Sequence, residues 1–395
     1  MTLIDSDNFD VVIIGGGIAG LTTACALVGQ GLKILIVDQG EFGQQASWAG
    51  GGILSPLRPW RYSLWHSEMT IYSLSELNKL QSQLGLAGFS FEWLKRGMLY
   101  LDAPFAPVKA WQQNAAGPVV LLEGRKLSQH IRKLKLAGAP QQAVWLPEVG
   151  SVRSPRLIKA CVAYLRLCSD VTLQSYCQAK LAEPTLIEPS MIANSESTDG
   201  LRGVRLTYSD AKPDARVYAK HIVVASGAWT DQVLMTGSKL VQPVRGQMLC
   251  YETGPALQTI VMAGEHYLLP RADGAILAGS TTEHVDFDTG TTSQARSILR
   301  SFSVQIVPGL ARIEPSFHWS GLRPMNRAGE QPLLGPLAPG LWLNTGHFKN
   351  GIVHAPGAAR LIADGILNRP IVLAWPSLIQ TELFKLVAQR AKAHA

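Results

Sequence analysis

FDVVIIGGGIAGLTTACALVGQGLKILIVD, residues 9–38, decides the fold. It reads as strand, glycine-rich turn, helix, strand and acid. Residues 10–14 form an apolar run suited to a buried parallel strand. Gly15, Gly17 and Gly20 fall in G-x-G-x-x-G register. The first glycine allows a tight turn, the second lets backbone approach a pyrophosphate, and the third lets helix pack on strand. Ile18, Leu21, Cys25 and Val28 share roughly one helix face. Gly29 and Gly31 stop the helix, and residues 33–37 make the next strand. Asp38 ends that strand, where a carboxylate accepts the 2′- and 3′-hydroxyls of an adenosine ribose. A glycine turn in an ordinary α/β unit needs no such acid. The segment therefore predicts dinucleotide binding.

Working outward, 395 residues suffice for one large domain or two. With 47% hydrophobic and 16% charged residues, the chain is globular rather than disordered. The net charge of +7 is spread along the chain. Its densest basic run, residues 125–135 (RKLSQHIRKLK), lacks interleaved aromatics and reads as a solvated helix face, not a nucleic-acid site. A basic balance also suits a carboxylate substrate and a doubly phosphorylated cofactor. Cys25, Cys161, Cys168, Cys177 and Cys250 include no C-x-x-C pair and read as reduced thiols of a cytoplasmic protein. No metal cluster is expected. No apolar run approaches about eighteen residues, so no transmembrane helix is expected, and the acidic N-terminus is not a signal peptide.

Periodicity predicts helices over residues 68–84, 157–168 and 351–367, the second introduced by Ser154-Pro155. Residues 91–102 read as strand, turn, strand. Further strands are expected over 171–181, 221–227, 240–252, 267–270, 275–279 and 341–345. Dinucleotide-type elements thus lie at the beginning, middle and end, with β-rich material between. This predicts an α/β fold (α+β overall), a Rossmann-like unit interleaved with an antiparallel-sheet substrate domain. The first would take residues 1–85, 150–235 and 325–375, the second 86–149 and 236–324, leaving 376–395 as a C-terminal tail helix. The segment 56–66 (PLRPWRYSLWH) reads as a loop with its aromatics packed down, rather than a mobile lid or membrane patch.

After Asp38 comes GEFGQQASWAGGGILSP. Ser47 can donate to a phosphate, and residues 50–52 can bring backbone N–H groups against a flat ring. Here the chain resembles the D-amino-acid-oxidase family of flavoproteins, most closely its glycine oxidase branch, which supplies dehydroglycine in thiamine synthesis. The segments that carry the resemblance are GGGIAG, residues 46–52 (ASWAGGG), 221–229 (HIVVASGAW), 242–247 (QPVRGQ), 267–271 (YLLPR), 319–324 (WSGLRP) and 346–352 (GHFKNGI).

The resemblance implies non-covalent FAD. Its contacts would come from Gly15, Gly17, Ile18, Ala19 and Gly20 in the turn, and from Asp38 and Gln39 at the ribose. Ala46, Ser47, Gly51, Gly52 and Ile53 would follow in the next loop, with Gln178 and Gly227 further along. His347, Phe348, Lys349, Asn350, Gly351 and Ile352 would complete the set at the late helix start. Two departures stand out. Lys349 occupies a position where the branch usually has Arg, and Ile53 one where Met is common.

The implied activity is oxidative deamination of a small amino acid to an imine and oxo acid, with peroxide formation. Arg323 would hold the substrate carboxylate, because a planar guanidinium offers two parallel charge-assisted hydrogen bonds. Tyr267 would add its hydroxyl; Arg271 reads as structural. Lys349 would act catalytically on the oxidative half-reaction, and His347 would position the flavin. Partners would be the amino acid and oxygen or a quinone, and a homo-oligomer fits the reading. Two alternatives stand: a D-amino-acid dehydrogenase passing electrons to a quinone, and a flavin-binding maturation factor without turnover. The second would have no use for a carboxylate clamp.

Overall fold

The computed structural model describes residues 8–182, 201–209, 213–235 and 239–376. The helix expected over 376–395 lies outside these residues, apart from Pro376.

Two eight-stranded sheets organise the chain. In the first, the strand Asn8–Ile14 runs parallel to Ala215–Val224 on one side and to Ile34–Val37 on the other. Ile34–Val37 pairs in parallel with Val171–Gln174, and Ala215–Val224 with Leu341–Thr345. Side chains alternate across a strand, so each buried strand feeds two cores. Val11 and Ile13 pack under the helices Ile18–Leu27, Leu64–Leu86, Ser154–Leu167 and Gly351–Ile366. Phe9, Val12 and Ile14 pack on the opposite face, with Val204, Val217 and Leu234.

The second sheet is mostly antiparallel. Phe317–Asn326, Val241–Tyr251, Ile276–Gly279, His266–Pro270 and Ile260–Ala263 follow one another, and Met98–Leu101, Gln142–Leu146 and Val120–Glu123 complete it. One face carries the helix Ser293–Ile306. The other buries Ile53, Trp60, Met248 and Tyr267. That face turns Met248 and Tyr267 toward the glycine loops of the first sheet.

Two expectations change. Residues 91–102 do not form a hairpin: Trp93–Lys95 pairs with Gly150–Val152, whereas Met98–Leu101 joins the second sheet. Gly97, at φ +71° with Trp145 packed against it, is where the chain changes sheet. The single strand expected over 171–181 splits into Val171–Gln174 and Cys177–Leu181, because Tyr176 takes φ +55°. In the segment 56–66, Trp60 and Trp65 are buried, and Trp60 packs edge-on against Tyr100 at 4.8 Å. The basic run forms the helix Gly124–Lys133, with Leu127 and Ile131 buried and its arginines and lysines exposed. Cys25, Cys161, Cys168 and Cys250 are free thiols. Among the described residues no helix is long and apolar enough to cross a membrane, and no cluster could hold a metal ion.

Candidate active site

The strand Asn8–Ile14 ends at Gly15, whose φ of +113° only glycine adopts readily. A side chain there would run into the Ala225 carbonyl, and one at Gly20 into the Gly15 carbonyl. Gly17 then begins the helix Ile18–Leu27 without a capping side chain of its own. The Ile18 N–H donates to the Ser47 hydroxyl oxygen at 2.9 Å. The turn leads into a helix N-terminus, whose dipole favours an anion.

Asp38 reaches back into the turn. Its carboxylate accepts the Gly16 N–H at 2.7 Å and the Gly40 N–H at 2.9 Å, bracing the turn. Burial pushes this carboxyl above its ordinary value, and the two amides pull it back. A carboxylate has about four lone-pair sites, so further acceptance remains open.

The next loop passes between the sheets. Trp319 Nε1 donates to the Ala49 carbonyl at 3.1 Å, and Arg271 Nη2 to the Gly51 carbonyl at 2.8 Å. Arg271 also donates to the Val152 carbonyl at 2.9 Å, which makes it the buried tie of this loop. A Cβ on Gly51 would sit 2.7 Å from the Tyr267 hydroxyl. Only backbone fits there.

Arg323, Gly246 and Tyr267 come from three strands of the second sheet. The Arg323 guanidinium lies over Gly246, where a methyl group would overlap it. Arg323 Nη1 donates to the Thr281 carbonyl at 3.0 Å. Thr281 is held in turn by the Gln247 N–H at 2.9 Å, beside the Arg245–Glu283 ion pair at 2.7 Å. Among the described residues Arg323 has no ion pair of its own. Burial lowers it from its ordinary value, with Tyr267 and Glu283 opposing. Tyr267 is buried, which raises its phenol, and its hydroxyl lies 3.7 Å from the Met248 sulfur.

The strand Leu341–Thr345 ends at Gly346, φ +74°, and leads through His347 and Lys349 into the helix Gly351–Ile366. His347 Nε2 lies 2.8 Å from Asn344 Oδ1. Burial, followed by the charge of Arg323, pushes Lys349 down to about 8.

These elements enclose one cleft of about 1710 Å³, counting its part open to solvent. The cleft wall brings together Gly15, Gly17, Ile18, Ala19, Asp38, Gln39, Ala46, Ser47, Gly51, Gly52, Ile53, Gln178 and Gly227. Tyr267, Arg323, His347, Phe348, Lys349, Gly351 and Ile352 join them.

Two expected contacts fall off the wall. Gly20 sits behind Gly15, where it serves helix–strand packing, and Asn350 is buried beneath the wall at the start of the late helix. Conversely, Gly246, Met248, Trp229 and Thr345 line the cleft without having been singled out as site residues. Gly246 lay in the QPVRGQ segment, whereas nothing in the sequence marks Met248. Lys180, Arg323 and Lys349 bring positive charge to the wall, against the single carboxylate of Asp38.

Comparison with known proteins agrees with this geometry. Residues 10–365 match the family described as DAO, FAD dependent oxidoreductase. The chain is 36% identical to a glycine oxidase of Pseudomonas aeruginosa, covering 92% of this chain and 96% of that one. It is 34% identical to a glycine oxidase of Pseudomonas putida, with 90% and 93% covered. Its fold matches the crystal structure of glycine oxidase from Geobacillus kaustophilus with a TM-score of 0.79 at 25% identity, covering 93% and 96%. The chain belongs to the DAO family of FAD-dependent oxidoreductases.

Proposed function

We propose that this chain oxidises a small α-amino acid, glycine first, to the imine. Water then hydrolyses the imine to an oxo acid and ammonia, and oxygen takes the electrons as hydrogen peroxide. The observation that carries the reading is the Arg323 guanidinium, without a carboxylate partner among the described residues, on the same cleft wall as the Gly15–Ile18 turn. An unpaired cation in a confined cleft is held in readiness for an anion.

The residues fit FAD. The helix N-terminus after Gly17, with its positive dipole end, suits its pyrophosphate, and Asp38 its adenosine ribose. The side-chain-free surface of Gly51 and Gly52, with Gly227, His347 and Phe348, suits the flat ring. When bound, FAD supplies the acceptor for a hydride from the substrate Cα. The protein supplies orientation. Arg323 and the Tyr267 hydroxyl grip the carboxylate, and the buried surroundings favour the neutral amine that must lose the hydride. A supply of imine to thiamine thiazole synthesis belongs to the same reading and rests on resemblance alone.

The isolated protein should release free FAD on acid treatment. Asp38→Ala should retain markedly less FAD after dialysis than wild type. Undiminished retention would show that this carboxylate serves only the Gly16 and Gly40 amides.

Lys349 gives a pH prediction. Its amine is a cation below about 8 and neutral above. A cation beside the ring favours electron transfer to oxygen, because it stabilises the negative charge that develops. Reoxidation by oxygen should therefore slow as pH rises through about 8, and Lys349→Met should remove this step. A wild-type profile flat from pH 6 to 10 would count against the role.

A further inference from the structure

The floor of the cleft around Arg323 and Tyr267 is one face of the second sheet, and register fixes which residues share it. Directly paired residues lie on the same face, as do residues two apart along a strand. Arg323 pairs with Val244, Gly321 with Gly246, and Trp319 with Met248. Met248 also pairs with Gly279, and Gly279 with Tyr267. Trp319, Met248, Gly279 and Tyr267 therefore form one row across four strands. Gly321 and Gly246 lie in the next row, with Arg323 beyond them. The three glycines keep the floor low. The Arg323 guanidinium lies over Gly246, and Met248, two residues along the same strand, rises beside it.

Met248 is boxed in at that place. Its sulfur lies 3.7 Å from the Tyr267 hydroxyl. Its Cε packs over Gly279, 3.0 Å from where a Cβ on that residue would stand. Trp319 closes the opposite side, tied through its Nε1 to the Ala49 carbonyl. Met248 lines the cleft and is only 2% exposed, so the cleft ends against it. A thioether is apolar and a weak acceptor. It is a poor neighbour for an amine and a good one for hydrogen or hydrocarbon. Its sulfur also gives up the Tyr267 hydroxyl readily to a stronger acceptor such as a carboxylate.

We propose that Met248 sets the size limit of the substrate: with the carboxylate held by Arg323 and Tyr267, its side chain fills the space into which a substituent on the substrate Cα would extend. The site then takes glycine and turns away amino acids with longer side chains. The proposal rests on the amino-acid oxidation reading. Met248 makes and breaks no bond and acts by exclusion alone. One methylene too many in an apolar pocket is worth about 10–200-fold in discrimination.

The test compares FAD-loaded wild type, Met248→Ala and Met248→Leu, each checked for flavin content and thermal midpoint. Each is mixed anaerobically with glycine and with D- and L-2-aminobutyrate, and the rate of flavin bleaching is followed against concentration. Met248→Ala should raise the rate constant for one aminobutyrate enantiomer, relative to glycine, by at least about tenfold. Met248→Leu, of similar volume, should leave that ratio within about threefold of wild type. An unmoved ratio in folded Met248→Ala would overturn the proposal, because a purely structural methionine would slow both substrates alike. A second readout needs neither turnover nor a variant. Acetate and isobutyrate present the same carboxylate, but isobutyrate carries two methyl groups on its Cα. Titrated against the flavin absorbance, wild type should bind isobutyrate at least about tenfold more weakly than acetate, and Met248→Ala should narrow the gap. Equal or tighter binding of isobutyrate by wild type would overturn the proposal, and this comparison decides it should Met248→Ala not fold. Should no amino acid bleach wild type, the oxidation reading falls, and the acetate–isobutyrate comparison then decides the role of Met248 separately.

Discussion

Arg323→Ala is expected to lose on the order of 100-fold or more in kcat/KM while retaining FAD. The lost contact amounts to two charge-assisted hydrogen bonds of about 1.5–3 kcal/mol each. About 3 kcal/mol corresponds to on the order of 100-fold, at 1.36 kcal/mol per factor of ten. Arg323→Lys should recover only part of this, because an ammonium keeps the charge but not the planar fork. Stability should change little, since Arg323 has no ion pair among the described residues and its one hydrogen bond goes to the Thr281 carbonyl. Steady-state kinetics on protein of matched flavin content checks this. A loss below fivefold would place the carboxylate elsewhere.

Gly246→Ala reaches the same anchor without altering its chemistry. The new methyl group would occupy the space of the Arg323 guanidinium. That group ends a flexible side chain, so the strand can keep its place while the guanidinium swings away. A misplacement of about 1 Å can cost on the order of 100-fold in rate, so a fall of at least about tenfold in kcat/KM is expected. The thermal midpoint and flavin content should stay near wild type. Unfolding would mean that the strand, not the side chain, gives way. Unchanged kinetics would mean that the guanidinium's position over Gly246 does not matter to the substrate.

The glycine turn at one end of the cleft was legible in the sequence because backbone geometry demands particular residues there. Gly15 and Gly20 are required by carbonyls that a side chain would strike, and Asp38 stands at the strand end that faces the turn. What depended on distant partners was not legible. Nothing local tells Trp93–Lys95 and Met98–Leu101 to join different sheets. Tyr176 breaks a strand at positive φ with neither glycine nor proline to announce it. The strand Phe317–Asn326 was read as a motif and not as a strand. Arg323 was picked out by the WSGLRP segment, but its seat on Gly246 appears only once two antiparallel strands are placed side by side.

The account's central claim is that this cleft oxidises a small amino acid. Anaerobic mixing of the FAD-loaded protein with a panel of amino acids, monitored by flavin absorbance, tests it most directly. Rapid, saturable bleaching by glycine or another small α-amino acid is the predicted result. A flavin that dithionite bleaches but no amino acid does would contradict it.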